Sequence, residues 1–343
     1  MKAAVIRKIG SVDNVKVEEV ADPQPEAGEV LVSVKAAALN HLDIWVTTKR
    51  GQIADGKYIL VGSDATGVVA SVGDGVNNVK IGDEVIVNPG LSCGQCEHCH
   101  RGQQSECGSY GILGLSRAGT FAEQVTVPAV SLAAKPGHMN WEEAAALPLA
   151  HLTAWRMLMS RAKLHAGESL LIHGIGGGAA LAALQIAGVI GVETIVTSSS
   201  DDKLEKARDL GADHCINYKT GDVAGDVMSV TNGRGVDVAF DTVGAATLPV
   251  NLEVLVKGGR MVICGVTSGA EPAINLQQIY WKQLNIMGST MGSHEEFRAM
   301  VKATGDNKIT PVIDSVLPLA DVQKALTRME KGEQFGKIVL SVA

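Results

Sequence analysis

The amino-acid sequence predicts an α/β protein with two domains, one rich in short β-strands and one built on a doubly wound parallel sheet. Three observations support this prediction. The 343 residues are enough for two domains of ordinary size. The first part of the chain repeats apolar residues with period two, and the middle part alternates apolar strand-length runs with helical segments. Hydrophobic residues make up 46% of the chain, so a sizeable core is available.

The first part of the chain, to about residue 130, predicts a β-rich domain of short strands and turns. Apolar residues recur at every second position at Val15 and Val17, and again at Val30, Val32 and Val34. Clusters of glycine and proline, such as DPQPEAGE, VGDGVNN and NPG, interrupt these runs and are typical of turns between strands.

From residue 131 onward the sequence predicts βαβ units. The predicted strands cover residues 169–173, 194–198, 214–217, 236–241 and 260–265, and the predicted helices cover residues 141–147, 151–163, 178–189, 201–210 and 245–256. Strands that alternate with helices of this length form a parallel sheet. Pro148 separates the first two helices, and Ser200 and Gly211 are suited to begin and end the fourth. Helices over 294–303 and 319–331 and a strand over 336–342 form a tail that we assign to the N-terminal domain.

Four cysteines lie close together in the run CGQCEHCHRGQQSEC, at Cys93, Cys96, Cys99 and Cys107. The C-x2-C-x2-C-x7-C spacing predicts a closed tetrahedral zinc site, because four thiolates leave no coordination position open. Such a site stabilises its loop, here about residues 90–110, and performs no chemistry. The interleaved His98 and His100 are expected to face solvent, unless one of them replaces a displaced Cys107.

A glycine-rich turn, HGIGGGAA over residues 173–180, follows a predicted strand and opens a predicted helix. Glycines 174, 176, 177 and 178 lack side chains, so the backbone can approach a pyrophosphate that the N–H groups of a helix N-terminus favour. Glycine is also common where a strand and a helix pack tightly, but such packing does not require three glycines in succession. From Gly174 the motif is G-x-G-x-x-A; read one residue later, it lacks the first glycine and ends at Ala180. The turn, with the strand and helix around it, predicts a dinucleotide-binding site.

The end of the next predicted strand favours NADP(H) over NAD(H). NAD-binding proteins place an acidic residue about twenty residues beyond the glycine motif, but this chain has TSSSDDK there, with Ser198 at the strand end. Hydroxyl groups with Lys203 nearby suit a 2′-phosphate. Asp201 and Asp202 come later, in the first helical turn. In the other interpretation, Asp201, Asp202 and Lys203 only interact with the helix dipole and face solvent.

Composition excludes several classes of partner. The formal net charge of −7 argues against nucleic acid, because phosphate binding needs a basic surface. No apolar stretch is long enough to span a bilayer, and the N-terminal residues do not show a signal-peptide pattern. Cys215 and Cys264 lie far apart in apolar runs, so reduced thiols in the cytoplasm are expected.

The chain resembles the medium-chain dehydrogenase/reductase superfamily, in the branch of zinc-type alcohol dehydrogenase-like proteins and quinone reductases. The resemblance covers essentially the whole length, and its motifs are KAAALNHLD, VGSDATGVV, GDEVIV, the cysteine run, FAEQV, LTAW, the glycine-rich turn, LGAD and GKIVL. It implies a GroES-like catalytic domain over residues 1–130 and 287–343, a Rossmann NADP-binding domain over residues 131–286, and a homodimer or homotetramer.

Zinc alcohol dehydrogenases carry a second, open zinc site with two Cys ligands and one His ligand. The resemblance places these ligands at Asn40, Ser63 and about Leu149, none of which is a zinc ligand, and Leu42 stands where a hydroxyl relays the alcohol proton. The nearby side chains His41, His151 and Asp64 could form a different site only if they met the geometry of zinc. In the other interpretation they are a surface histidine, a histidine at the start of a helix and a carboxylate with a structural partner. The sequence therefore predicts no catalytic zinc.

Without a Lewis acid or proton relay, reduction of an activated C=C or a quinone by NAD(P)H is favoured over alcohol oxidation. We expect Asn40 to donate a hydrogen bond to the substrate oxygen in place of the metal, and Asp43 to orient local backbone or basic partners. In the other interpretation, Asn40 only caps a turn. Two alternatives stay open: an alcohol dehydrogenase or aldehyde reductase with an altered catalytic zinc site, and a non-enzymatic NADPH-binding protein.

The resemblance also assigns further residues to the cofactor and substrate. Thr153 is implied beside the nicotinamide, Gly244, Gly265 and Val266 around the far end of the cofactor, and Tyr218 near the 2′-phosphate. Residues 46–58 and 280–290 are expected to line the small-molecule substrate site, with Trp45, Tyr58 and Trp281 as candidates for an apolar pocket. These aromatic residues could equally lie in the core or in a subunit contact.

Overall fold

The structure, a computed structural model, describes residues 1–54 and 56–342. The chain divides into two compact units, Met1–Leu152 with Met291–Ala343, and Thr153–Thr290. We call them the split unit and the central unit. The division differs from the predicted boundaries at residues 130/131 and 286/287. Residues 131–152 belong to the split unit because the helix over Trp141–Ala146 packs on strands of that unit.

Over the described residues 1–54 and 56–155, the split unit begins with ten strands and four α-helices. The strands are β1 Lys2–Ile6, β2 Val15–Glu19, β3 Glu29–Ala38, β4 Ile59–Leu60, β5 Asp64–Val72, β6 Glu84–Val87, β7 Gly90–Leu91, β8 Gly111–Ile112, β9 Gln124–Pro128 and β10 Leu132–Ala134. The helices are α1 His41–Thr48, α2 Glu97–His100, α3 Trp141–Ala146 and α4 Pro148–Trp155, of which the last continues past Leu152.

The central unit alternates strands and helices. Its elements are β11 Ser169–Ile172, α5 Gly178–Ile190, β12 Glu193–Ser198, α6 Asp201–Asp209, β13 His214–Asn217, α7 Val223–Val230, β14 Val236–Asp241, α8 Leu248–Val254, β15 Leu255–Ile263, α9 Leu276–Lys282 and β16 Asn285–Gly288. The six strands form one parallel sheet in the order β13-β12-β11-β14-β15-β16. The predicted doubly wound parallel sheet is therefore confirmed.

The chain then returns to the split unit with α10 His294–Asp306, β17 Ile313–Pro318, α11 Val322–Glu330 and β18 Lys337–Ser341. The main sheet of this unit has the order β10-β6-β5-β3-β18-β17, and β9 also pairs with β3. Because β18 lies antiparallel to β3, the C-terminal strand completes a sheet that the N-terminal residues begin. Valine, leucine and isoleucine side chains from both ends of the chain share one core.

Two element boundaries differ from the predictions. The two helices are separate at Pro148, as predicted, but the second, α4, begins at Pro148 itself instead of at residue 151, because proline is tolerated in the first helical turn. A π-helical segment over Arg156–Arg161 then ends the helical region predicted over 151–163. The helix predicted over 245–256 covers only Leu248–Val254, and β15 begins at Leu255, where the chain already pairs with Val236 of β14. Apolar periodicity alone could not separate the end of this helix from the start of the strand.

Among the described residues, no helix is long and apolar enough to cross a membrane.

Candidate functional site

Three neighbouring strands of the split unit bring four buried polar residues together. Asn40 follows β3, Asp64 begins β5 and Lys337 begins β18. Both β5 and β18 run antiparallel to β3, so the end of β3 lies beside the starts of the other two strands. Asn40, Asp43, Asp64 and Lys337 are at most 7% exposed. We call these four residues the Asn40 cluster.

Lys337 lies at the centre of the Asn40 cluster. Its Nζ atom donates to Asn40 Oδ1 at 2.5 Å and to Asp64 Oδ2 at 3.0 Å. Asn40 Nδ2 donates to the same Asp64 oxygen at 2.9 Å, with a longer contact of 3.5 Å to the carbonyl of Ala38. The ammonium offers only donors and the carboxylate only acceptors, so the two partners fix which way the Asn40 amide points.

The three positions where the resemblance implies ligands of an open zinc site do not form one. Asn40 presents its amide to Asp64 and Lys337, and the Ser63 hydroxyl donates to the carbonyl of Leu113 at 2.8 Å. Leu149 contributes its backbone N–H, which donates to Asp64 Oδ1 at 2.8 Å. Zinc prefers thiolate, imidazole and carboxylate ligands. Here both oxygens of the Asp64 carboxylate already accept hydrogen bonds, and the Lys337 ammonium next to it would repel a dication.

Asp43 supports the backbone of the Asn40 cluster. Its Oδ2 atom accepts a hydrogen bond of 2.7 Å from the backbone N–H of Asn40, which lies just before α1. The side chain therefore orients local backbone, as expected. Burial raises the pKa of the Asp43 carboxyl to about 7, against the Asn40 N–H and the Lys337 charge, which both lower it.

The four predicted cysteines of the zinc lobe lie together, with all their Sγ atoms within 4.8 Å of one another. The sulfur pairs Cys96–Cys99 and Cys93–Cys107 are 3.5 Å apart, and Cys93–Cys99 is 3.9 Å apart. A tetrahedron with Zn–S distances of about 2.3 Å has sulfur atoms about 3.8 Å apart, so the cluster fits zinc. The backbone N–H of Gln95, followed by the Cys107 thiol, lowers the pKa of Cys93 to about 6, which favours a thiolate ligand.

Within the described residues these four cysteines are the only group of three or more His, Cys, Asp or Glu side chains that could hold a metal ion. His41, His151 and Asp64, which the sequence left as an altered zinc site, do not form such a group. The Cys107 thiol lies with the other three cysteines, so neither His98 nor His100 is needed as a replacement zinc ligand. The side chain of His98 is 45% exposed and lies 3.8 Å from the carboxylate of Glu106.

In the central unit, the glycine-rich turn joins β11 to α5. Gly174 and Gly176 have φ angles of 68° and 117°, which residues with a side chain rarely adopt. Gly177 precedes the helix, Gly178 is its first residue, and no side chain caps the helix N-terminus. The first backbone N–H groups of α5 are therefore open to an anion.

The other residues that the resemblance assigns to the cofactor follow neighbouring strands at the same edge of the sheet. Gly244 comes after β14, and Gly265 and Val266 come after β15. The two turns pack closely, because a Cβ at Gly244 would lie 3.0 Å from Val266 Cα and one at Gly265 would lie 2.6 Å from the carbonyl of Thr242. Ligands of parallel α/β sheets bind at this carboxyl edge, beside the point where the strand order reverses. Thr153 lies in α4 and is buried.

Ser198 at the end of β12, Lys203 beyond it and Tyr218 after β13 were predicted to lie near a 2′-phosphate. Ser198 is buried, and its hydroxyl accepts a hydrogen bond from the backbone N–H of Ser200. Ser200 caps α6 by accepting from the N–H of Lys203, as predicted. Tyr218 follows β13 and is 51% exposed. Its backbone N–H donates to the carbonyl of Ser198 at 3.0 Å, so the ends of these two strands lie side by side.

Lys337 is the residue of this site that sequence reasoning missed. The GKIVL motif was recognised, but its lysine was not assigned a role. One signal was present: a lysine at the start of an apolar strand either points to solvent or needs a buried partner. Asp64 was expected to have a structural partner, and Lys337 is that partner.

The candidate pocket aromatics differ in their surroundings. Trp45 on α1 is 46% exposed, and Tyr58 is 38% exposed with the Arg7 guanidinium 5.1 Å from its ring centre. Trp281 on α9 is 68% exposed. Asp55, within the predicted lining segment 46–58, lies outside the described residues.

Comparisons with known proteins agree with this two-part architecture. The family of alcohol dehydrogenase GroES-like domains matches residues 26–137, and the family of zinc-binding dehydrogenases matches residues 178–306. A zinc-type alcohol dehydrogenase-like protein of Schizosaccharomyces pombe is 33% identical over 100% of this chain and 99% of its own length. A crotonyl-CoA carboxylase/reductase of Cereibacter sphaeroides is 30% identical, over 93% of this chain and 81% of its own length.

Among solved structures, an NAD-dependent alcohol dehydrogenase superposes with a TM-score of 0.95 at 40% identity, covering 100% of both chains. The chain therefore belongs to the medium-chain dehydrogenase/reductase superfamily, with a GroES-like domain and a Rossmann domain. It is an NAD(P)-dependent oxidoreductase.

The raised pKa of Asp43 predicts a pH-dependent contribution to stability. Its carboxyl keeps a proton in the folded state up to a pH of about 7, but releases it near pH 4 when unfolded. The folded state therefore binds more protons between these values, and the free energy of unfolding falls as the pH rises through this window. Asp43→Asn keeps an acceptor for the Asn40 N–H and cannot ionise.

We expect the melting temperature of Asp43→Asn, relative to wild type, to rise between pH of about 4 and about 7 and to stay level above it. Differential scanning fluorimetry across this range measures the difference. Asp74→Asn, at an exposed position, serves as the control and should follow wild type. Parallel profiles for Asp43→Asn and wild type would contradict the prediction.

Proposed function

We propose that this protein uses NADPH to reduce an activated C=C bond or a quinone, without a catalytic zinc ion. The observation that carries the proposal is the donor set of the Asn40 cluster. Asn40, Ser63 and Leu149 offer no zinc ligand, and the carboxylate of Asp64 is held by Lys337 and by the backbone of Leu149. The cluster thus presents hydrogen-bond donors and a fixed positive charge instead of an open metal site.

This donor set suits reduction better than alcohol oxidation. An alcohol must lose its proton as hydride leaves, and no group of the cluster lowers its pKa as zinc would. In the reduction of an enone, hydride adds to the β-carbon and the C=C electrons move to the carbonyl oxygen. The resulting enolate needs hydrogen-bond donors and then a proton from solvent. The similarity to a crotonyl-CoA carboxylase/reductase is consistent with this class of reaction.

The cofactor supplies the hydride when it is bound, and the central unit provides the residues to hold it. The open N–H groups of α5 and the glycine-rich turn suit a pyrophosphate. The zinc ion that we propose at Cys93, Cys96, Cys99 and Cys107 is structural, since four thiolates leave no position for substrate.

An assay over quinones, enones and aldehydes tests the proposed reaction. We expect NADPH oxidation with at least one quinone or enone, about one zinc per chain, and activity that mild chelation leaves unchanged. The metal content is measured on the same sample. About two zincs per chain, with alcohol oxidation lost on chelation, would favour the altered alcohol dehydrogenase. Binding of NADPH without oxidation by any acceptor would favour a non-enzymatic binding protein.

NADP(H) is proposed as the cofactor because the acids near the end of β12 are held elsewhere. Asp201 accepts a hydrogen bond of 2.7 Å from Asn217, and Asp202 pairs with Lys206 at 2.8 Å. Lys203 and the half-exposed Tyr218 follow neighbouring strands and suit a 2′-phosphate. The hydroxyl of Ser198 supports the loop between them through the N–H of Ser200.

Lys203→Ala is expected to raise the KM for NADPH about 10-fold, because a charged hydrogen bond to phosphate contributes about 1.4 kcal/mol or more. The KM for NADH should not change, since that cofactor lacks the phosphate. Steady-state kinetics with both cofactors measures the effect. Lys206→Ala, which removes a lysine of the same helix that pairs with Asp202, is the control. Equal losses with NADPH and NADH would contradict the assignment.

A homodimer is proposed through one edge of the central unit. Within the described chain, β16 pairs only with β15, so one side of this strand offers unpaired backbone groups. Next to it in sequence, α9 exposes Leu276, Tyr280 and Trp281, which are 65–70% exposed. A second copy related by a two-fold axis offers the same strand edge and the same apolar side chains.

Substitution of Trp281 by Glu is expected to shift the protein toward monomer, because it removes a large apolar side chain from the proposed contact and places a charge there on both copies. Sedimentation velocity of Trp281→Glu against wild type measures the shift. Ile81→Glu, at a 64% exposed position of the split unit, should keep the mass of wild type. A Trp281→Glu protein with unchanged mass would contradict this interface.

A cytoplasmic location is proposed on the basis of the thiols. All six cysteines are free, and four of them form the cluster that fits zinc. Zinc-binding thiolates and free thiols are typical of reducing compartments. The net charge of −7 gives no support for a nucleic-acid partner.

A further inference from the structure

Four buried polar side chains form a connected network at the carboxyl edge of the central sheet. They are His173 after β11, Thr197 in β12, Asp241 at the end of β14 and Asn251 in α8. All four are at most 3% exposed. We call them the His173 network. Apolar side chains could fill the same space without leaving polar groups to satisfy, so the polar residues indicate a role other than packing.

The His173 imidazole lies at the centre of the His173 network. Its Nε2 atom is 2.7 Å from Asn251 Oδ1, and its Nδ1 atom is 3.2 Å from the hydroxyl of Thr197. Asn251 in turn donates through Nδ2 to Asp241 Oδ2 at 2.8 Å. Because a carboxylate only accepts, the Asn251 amide turns its oxygen to His173, and the imidazole Nε2 carries the hydrogen.

The role of the second ring nitrogen follows from burial. Burial lowers the pKa of the His173 imidazole, against Asn251 and Asp241, which raise it. The ring is therefore neutral near pH 7, and its Nδ1 atom is an acceptor for the hydroxyl of Thr197. The lone pairs of that hydroxyl are left for the backbone N–H of Gly174, which is 3.4 Å away. His173 thus fixes the direction of the hydroxyl.

Both ends of the His173 network reach a turn that was assigned to the cofactor. At one end, Thr197 holds the glycine-rich turn: its hydroxyl contacts the N–H of Gly174, and its carbonyl accepts from the N–H of Ile175 at 2.8 Å. At the other end, Asp241 Oδ1 accepts from the N–H of Gly244 at 3.0 Å. The network therefore connects the turn after β11 with the turn after β14.

We propose that His173 is a positioning residue for the cofactor and holds the glycine-rich turn, through Thr197, in the conformation that binds the pyrophosphate. This inference rests on the proposed cofactor site of the central unit, and not on the reaction or on the choice between NADPH and NADH. The turn has positive φ angles at Gly174 and Gly176. Glycine adopts many other conformations as readily, so contacts that order the turn before the cofactor arrives increase its affinity.

Cofactor binding by variants of the full chain tests this role. His173→Phe keeps a planar ring but neither accepts from Thr197 nor donates to Asn251. We expect its Kd for NADPH, followed by the fluorescence of the reduced nicotinamide, to rise about 10-fold. The Kd for 2′-AMP, measured by calorimetry, should not change, because this ligand has no pyrophosphate. An unchanged Kd for NADPH, or an equal loss with 2′-AMP, would overturn the proposal.

Ser169→Ala is the matched control, because it removes a buried hydrogen bond at the opposite ends of the same strands. Ser169 begins β11, and its hydroxyl donates to Asp237 of β14 at 3.0 Å. We expect Ser169→Ala to lower the melting temperature, as His173→Phe does, but to bind NADPH as wild type does. A loss of NADPH affinity in the control as large as in His173→Phe would count against a specific role of His173 and overturn the proposal.

A double-variant cycle tests whether His173 acts through Thr197, and its single variants remain informative if His173→Phe does not fold. Thr197→Val keeps the shape of the side chain without the hydroxyl and should raise the Kd for NADPH about 10-fold, whereas Thr197→Ser should bind as wild type does. Adding His173→Phe to Thr197→Val should raise the Kd by less than about 2-fold more. Wild-type affinity in Thr197→Val, or effects that multiply in the double variant, would overturn the proposal.

The outcomes separate this inference from the proposed function. If His173→Phe weakens NADPH binding but no quinone or enone is reduced, the inference stands and the proposed reaction fails. If a quinone or enone is reduced and His173→Phe binds NADPH as wild type does, the proposed reaction stands and the role of His173 fails. If wild type binds only NADH and His173→Phe weakens that binding, the inference stands and the proposed choice of NADP(H) fails.

Discussion

The ion pair between Lys337 and Asp64 is the interaction on which the candidate site depends. It joins the first residues of β18 and β5, and Asn40, which follows β3, bonds to both side chains. A buried pair of this kind adds little net stability, but loss of one partner costs about 3–5 kcal/mol, because the other charge stays buried. The ion pair therefore adds little to the stability of the fold, but it determines which side chains can occupy this buried position.

The same ion pair decides the electrostatic character of the site. A zinc ion would bring two positive charges, an open coordination position and a strong effect on the pKa of a bound alcohol. An ammonium balanced by Asp64 brings one charge and hydrogen-bond donors. The first arrangement suits removal of a proton from an alcohol, and the second suits an oxygen that gains electrons. The GroES-like unit can hold either arrangement, so the site residues, and not the fold, separate the two chemistries.

The parallel sheet of the central unit was predictable from local patterns. Strands β13 and β14 have the predicted bounds, and the glycine-rich turn falls between β11 and α5 as expected. Apolar runs that are buried on both faces of a sheet, together with a turn that needs a positive φ at Gly174, are compatible with few folds other than a parallel α/β sheet. Predictions failed where two elements share apolar residues, as at Leu255, because pairing with β14 and not local preference starts the strand there.

By itself, the sequence determined the order of elements, the zinc-binding cysteine spacing, the dinucleotide turn and the absence of the expected zinc ligands at Asn40, Ser63 and Leu149. These features depend on neighbours in the chain or on residue type. Only the tertiary structure decided that Lys337 meets Asn40 and Asp64, which lie 297 and 273 positions earlier in the chain. A contact of that range follows from the antiparallel pairing of β18 with β3, and no local pattern of residues encodes it.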